Sequence, residues 1–239
     1  AMTLANDEAV RNVTAYIASL KGTAKAKPVA VKVSTAVTVV QTPVSEPLYA
    51  PCASCHGSEG EGNQKLGAPR LAGQHGWYLK RQLSNWRDGI RGTHSEDVYG
   101  MQMRPMAMSL SNDEAIDNVA AYIATFAEKV LTVSTTTVEE TPAAPSKVSV
   151  SGSAENGKSL YALCVSCHGA DGAGNKALNA PRISGQKNWY ITRQLESFKA
   201  GIRGSHEEDI YGQQMRPMAM ILADDTAINN VAAYISTLK

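Results

Sequence analysis

The sequence predicts an all-α protein built from two tandem copies of one small domain. Three observations lead there. The chain repeats itself at a constant offset of 112 positions: Leu48-Tyr49 returns as Leu160-Tyr161, Pro69-Arg70 as Pro181-Arg182, and Trp77-Tyr78 as Trp189-Tyr190. Met103-Arg104-Pro105-Met106-Ala107-Met108 likewise returns as Met215-Arg216-Pro217-Met218-Ala219-Met220. Within each copy, apolar residues recur at three- and four-residue steps, as in Ala115, Ile116, Val119, Ala120 and Ile123, which gathers them on one helical face. Between the copies lie stretches rich in Val, Thr, Ser, Pro and Ala that lack this period.

Residues 1–20 read as the closing helix of a truncated upstream repeat, because 1–9 match 107–115 and 13–17 match 119–123. A linker follows over 21–46. The first domain spans 47–127. Its first helix starts near Leu48, and Pro51 predicts that it is shorter or more distorted than its counterpart, where Leu163 stands at the equivalent position. Residues 74–87 form a second helix. The methionine run lies in a polar stretch between helices, and a closing helix begins with Ser111 and Glu114 as a capping box. The second linker covers 128–154, and the second domain 155–239. There 186–199 repeat the second helix, and the last helix has Ala223 in place of Ser111, so Asp224 is its candidate cap. The prolines of both linkers favour extended chain, and Thr-Val alternation favours an added edge along a domain.

Chemistry concentrates in Cys52-Ala53-Ser54-Cys55-His56 and Cys164-Val165-Ser166-Cys167-His168. C-x-x-C-H is the attachment signature of a c-type haem: two thiols one helical turn apart add to the porphyrin vinyl groups, and the adjoining histidine becomes an axial ligand. The same pattern serves as half a zinc site or as a redox dithiol, and two halves can share one metal. Duplication of everything around each motif argues for two independent pockets. Two covalently bound haem c groups are therefore expected, with His56 and His168 on the irons. All four cysteines are used, which leaves none for a disulfide.

Other totals agree. Domains near 80 residues with two phenylalanines in the whole chain are poor in core, a deficit that a buried porphyrin offsets. The formal charge of +1 turns negative once haem propionates are added. Acids and bases nearly balance and no basic run occurs, which argues against nucleic-acid binding. No transmembrane segment and no signal peptide are visible. Since haem is attached to c-type proteins outside the cytoplasm, a periplasmic or other extracytoplasmic location is expected, with the export signal removed or upstream of Ala1.

The sixth iron position has several candidates. Met101 is replaced by Gln213 in the second copy, which leaves Met103/Met215, Met106/Met218 and Met108/Met220. His94 and His206 also recur, and would give bis-histidine iron. His75 corresponds to Lys187 and is not common to both pockets.

Together these residues resemble the diheme cytochromes of the c4 type, tandem class I cytochromes c. The resemblance rests on C-x-x-C-H-G, on Pro69-Arg70-Leu71-Ala72-Gly73-Gln74 with Tyr78, Gln82 and Leu83, on the methionine segment, on the Leu110-Ser111 helix start, and on Pro181-Arg182-Ile183-Ser184-Gly185-Gln186. In that family the ligand methionine stands seven positions before the leucine that opens the last helix. The resemblance thus implies Met103 and Met215, each 47 residues after its histidine, with Met106 and Met218 as the fallback pair. It implies that the carbonyls of Pro69 and Pro181 accept from the histidine Nδ1. It places Arg70, Arg182, Tyr78 and Tyr190 near propionates, with simple packing the competing role. Trp77 and Trp189 are read as pocket walls. Two departures, the long linkers and the extra leading helix, leave open whether the family's close packing of two haems across a pseudo-twofold interface holds here.

The expected function is electron transfer, each iron cycling between ferrous and ferric with no substrate on the metal. Partners would be other redox proteins of a respiratory chain, such as a quinol-oxidising complex, a terminal oxidase or other cytochromes. One alternative is a link of a larger multihaem wire or respiratory complex, with further haem domains upstream. The other is a diheme peroxidase or a thiosulfate- or nitrite-type oxidoreductase with an open haem site, against which the near identity of the two pockets argues.

Overall fold

The computed structural model describes residues 45–126 and 152–239. The closing helix expected over 1–20, the expected linker as far as residue 44, and residues 127–151 lie outside them. Everything described is helix, 3-10 turn or loop; isolated bridges pair Asn63 with Ala68 and Asn175 with Ala180.

The first module contains α1 (Ser45–His56), a 3-10 turn (Gln64–Leu66), α2 (Gly76–Arg87), α3 (Val98–Met108) and α4 (Asp113–Ala124). The second contains α5 (Ala154–Tyr161), α6 (Val165–His168), a 3-10 turn (Lys176–Leu178), α7 (Asn188–Lys199), α8 (Ile210–Met220) and α9 (Asp225–Thr237). In each module the closing helix is the hub. It packs on the attachment helix and on the second helix, and the second helix also meets the methionine helix. Ile116, Val119, Ala120 and Ile123 of α4 are buried, as are Ile228, Val231, Ala232 and Ile235 of α9. These are the residues that the three- and four-residue spacing selects. Tyr49 and Phe126 join the first core, and Tyr161 and Leu222 the second.

Several local expectations are corrected. The helix carrying Pro51 is the continuous one, whereas its counterpart breaks into α5 and α6. A proline deletes one ladder hydrogen bond, and α1 is anchored on both sides of it by Tyr49 and Cys52 against the core. In the second module the ladder tightens instead, with Ala162, Leu163 and Cys164 N–H groups each bonding three residues back. The methionine run is helical, not a stretch between helices. Its Met, Gln, Arg and Ala residues favour helix, and Asp97 and Asp209 cap it by accepting from Gly100 N and Gly212 N at 2.9 and 3.0 Å. The cap of α4 is Asn112, which accepts from Ala115 N, rather than Ser111. Its repeat partner Asp224 caps α9 as expected.

The two modules pack against each other, a point that linker length left open. The described segments 45–126 and 152–239 fall within one compact unit. Closing a longer loop costs little extra entropy, so linker length does not decide whether two faces meet. The seam is held by matched pairs of bonds. Gln74 Nε2 donates to Arg182 O at 2.9 Å, and Gln186 Nε2 to Arg70 O at 3.0 Å. Arg81 Nη2 donates to Asn179 O at 2.9 Å, and Arg193 Nη2 to Gly67 O at 2.7 Å. Arg81 also lies over Tyr211, and Arg193 over Tyr99, at 4.3 and 4.0 Å from the ring centroids.

Candidate haem sites and the seam between them

Each attachment motif ends its helix. Cys52, Cys55 and His56 are three and four residues apart, so they share one face of α1. Cys52 and Cys164 are half-buried and touch the two cores, while Cys55 and Cys167 are exposed. None of the four is in a disulfide. Burial, then the neighbouring Cys167, pushes the Cys164 thiol of the unloaded chain up to about 11.

His56 and His168 are buried, and each ring donates from Nδ1 to the carbonyl of Pro69 or Pro181, at 2.8 and 2.9 Å. Burial lowers the imidazole pKa, and the carbonyl partner opposes that shift without overcoming it. A neutral ring whose Nδ1 carries the proton presents an unprotonated Nε2, the donor atom that iron takes. Glycine makes this approach possible. Gly62 has φ +84, its N–H donates to His56 O at 2.8 Å, and a Cβ there would lie 2.6 Å from Arg70 N and 2.8 Å from the Pro69 carbonyl carbon. Gly174 repeats the arrangement against Pro181 and Arg182. Behind the motif, Tyr49 donates to Gly57 O and Tyr161 to Gly169 O, both at 2.7 Å.

Among the methionines, Met101, Met106, Met108 and Met220 are 40, 37, 56 and 62% exposed, whereas Met103, Met215 and Met218 are partly buried. Only Met103/Met215 is thus partly buried in both copies.

Buried polar groups left without partners suit a carboxylate-bearing porphyrin. Arg81, Arg91 and Arg104 each have a buried Nε without a hydrogen-bond partner among the described residues, and so do their repeat counterparts Arg193, Arg203 and Arg216. Three orphaned guanidinium donors in each module are the complement of haem propionates. Of these, sequence reasoning noticed Arg104 and Arg216 only as part of the methionine repeat. It missed Arg91 and Arg203, although Gly89-Ile90-Arg91-Gly92 recurs as Gly201-Ile202-Arg203-Gly204.

The residues expected near propionates divide. Arg70 and Arg182 meet across the seam, where burial, then Arg182, lowers the Arg70 pKa. Arg70 Nε donates to Ala72 O at 3.1 Å. Tyr78 Oη accepts from Arg203 Nη2 at 3.1 Å. Burial acts to raise the Tyr78 phenol, but the fields of Arg203 and Arg91 and the Arg203 hydrogen bond outweigh it and pull the pKa down. Tyr190 packs edge-on to Trp189, 5.9 Å between centroids, with Arg193 5.3 Å away. Trp77 and Trp189 sit under Arg81 and Arg193 at 5.1 and 5.0 Å. His94 and His206 face a cavity of about 310 Å³ that Arg91 and Arg203 also line, and their Nδ1 atoms accept from Glu96 N and Glu208 N at 3.2 Å. His75 instead donates from Nε2 to Ala173 O across the seam at 2.7 Å.

Comparison with known proteins agrees with this geometry. The cytochrome c family model matches residues 46–127 and again 154–239. The chain is 31% identical to the thiosulfate dehydrogenase electron acceptor of Stutzerimonas stutzeri (strain A1501), over 81% of this chain and 82% of that one. It is 32% identical to cytochrome c4 of Thiocapsa roseopersicina, over 79% of this chain and 87% of that one. The crystal structure of reduced recombinant cytochrome c4 from Pseudomonas stutzeri superposes with a TM-score of 0.60 at 26% identity, covering 82% of this chain and 97% of that one. With two such domains, each holding its own attachment motif, the chain belongs to the cytochrome c family as a diheme electron-transfer cytochrome of the c4 type carrying two covalent haem c groups.

Proposed function

We propose that His56 with Met103, and His168 with Met215, clamp the two irons, and that the protein ferries single electrons between redox partners outside the cytoplasm. Bound haem supplies the Fe(II)/Fe(III) couple. The chain supplies the rest. Pro69 and Pro181 fix the histidine rings, Cys52, Cys55, Cys164 and Cys167 tether the porphyrins, and the arginines receive their carboxylates. A filled sixth position excludes substrate chemistry at the metal, and thioether sulfur raises the potential. The observation that carries this reading is the pair of buried histidines, each held through Nδ1 with Nε2 left for iron.

The ferric optical spectrum tests the ligands. A weak red charge-transfer band marks methionine sulfur on iron, and Met103→Ala and Met215→Ala should each remove about half of it. Retention of the full band in both variants would transfer the assignment to Met106 and Met218. For partners, a quinol-oxidising complex and a terminal oxidase are one pair. The name of the Stutzerimonas relative favours thiosulfate dehydrogenase as an alternative electron donor. Stopped-flow reduction of the ferric protein by each purified donor separates the two.

A further inference from the structure

We propose that Gln82, Arg91, Gln194 and Arg203 form one shared electrostatic unit on the seam, which sets the reduction potentials of both haems in common. The four side chains close a ring. Gln82 Oε1 accepts from Arg91 Nη1 at 2.6 Å and from Arg203 Nη2 at 3.0 Å. Gln194 Oε1 accepts from Arg91 Nη2 at 3.1 Å and from Arg203 Nη1. Each glutamine therefore serves one arginine of its own module and one of the other. Gln82, Arg91 and Arg203 are 7, 8 and 9% exposed.

The acceptors are neutral amides, so within the ring two buried positive charges meet no counter-charge, and they act on the irons together with the propionates that their free Nε donors would receive. Asp97 and Asp209 are carboxylates whose fields reach these guanidiniums, and both are engaged in capping α3 and α8. In a low-dielectric seam such charge disfavours the ferric state, which carries one more positive charge than the ferrous state. Because the ring takes one glutamine and one arginine from each module, a change in any member is expected to act on both irons. The Nε atoms, unused within the ring, remain as donors outside it. The inference rests on the diheme reading only for the presence of two haems.

The test is a potentiometric optical titration of the full-length, haem-loaded protein, with two haems verified by mass. Gln82→Glu keeps the side-chain shape and adds a carboxylate between the guanidiniums. Both midpoints should fall together, and Gln194→Glu should reproduce the result. Gln82→Met, which deletes the shared acceptor without adding charge, should raise both, and it carries the comparison if the carboxylate variants do not load haem. A shift confined to one midpoint overturns the proposal, as does a loss of thermal stability with both midpoints unmoved. A mass showing fewer than two haems would instead count against the diheme reading.

Discussion

Replacing Tyr161 by phenylalanine should alter the alkaline stability of the second module in a calculable way. The Tyr161 hydroxyl donates to Gly169 O at 2.7 Å, the residue is 2% exposed, and burial, then the Cys164 and Asp171 charges, pushes its pKa up to about 12. In the haem-loaded protein Cys164 is a thioether, which leaves burial, the largest cause. The unfolded phenol ionises near 10. A folded pKa above the unfolded one means that the neutral form is the one the fold retains. Its contribution is complete below pH 10 and is lost as pH climbs from 10 towards 12. Two units at about 1.4 kcal/mol each set an upper limit of roughly 3 kcal/mol, reached only with the Cys164 contribution included. Near neutrality, Tyr161→Phe should cost only about 1 kcal/mol, the net worth of one hydrogen bond, and Gly169 O keeps its bond from Gly172 N. Urea unfolding followed by circular dichroism at pH 8, 10, 11 and 12 measures both quantities. The original protein should start more stable and then lose more than the variant over the alkaline range, by at most roughly 3 kcal/mol. Parallel pH profiles would refute the argument, because the buried phenol would then not be the group that titrates.

Three further outcomes are expected. Gly62→Ala places a Cβ 2.6 Å from Arg70 N at φ +84, so it should destabilise by more than about 1 kcal/mol and displace the Pro69 carbonyl from His56; thermal unfolding and haem-methyl proton shifts report the two effects. Gln74→Ala and Gln186→Ala each remove one bond across the seam and should cost about 1 kcal/mol apiece, with the double variant expanding in small-angle scattering. Ile228→Ala empties a fully enclosed site in α9 and should cost roughly 2–5 kcal/mol by denaturant titration.

Periodicity and repetition made the helices legible, because apolar spacing in α4 and α9 reports directly which face is buried. Spacing likewise exposed the motifs, since attachment chemistry needs Cys52, Cys55 and His56 on consecutive turns. Pro51 misled because a local propensity was outweighed by the core contacts of Tyr49 and Cys52. Ser111 misled because two adjacent residues can each cap, and Asn112 holds the geometry that reaches Ala115 N. The seam was the least legible part. Arg91 and Arg203 follow the second helix of each module, and nothing local shows that their acceptors, Gln82 and Gln194, include one from the other module. Linker length left the packing open there, because packing is decided by complementary faces, not by the tether.

The matched glutamine and arginine bonds amount to the interface of a homodimer whose subunits share one polypeptide. Such an isologous patch complements itself: Gln74 reaches residue 182 as Gln186 reaches residue 70. Either half expressed alone would therefore display a surface suited to a second copy of itself. Fusion keeps the two halves in fixed stoichiometry, and it frees positions such as His75 and Lys187 to diverge, as two identical subunits never can.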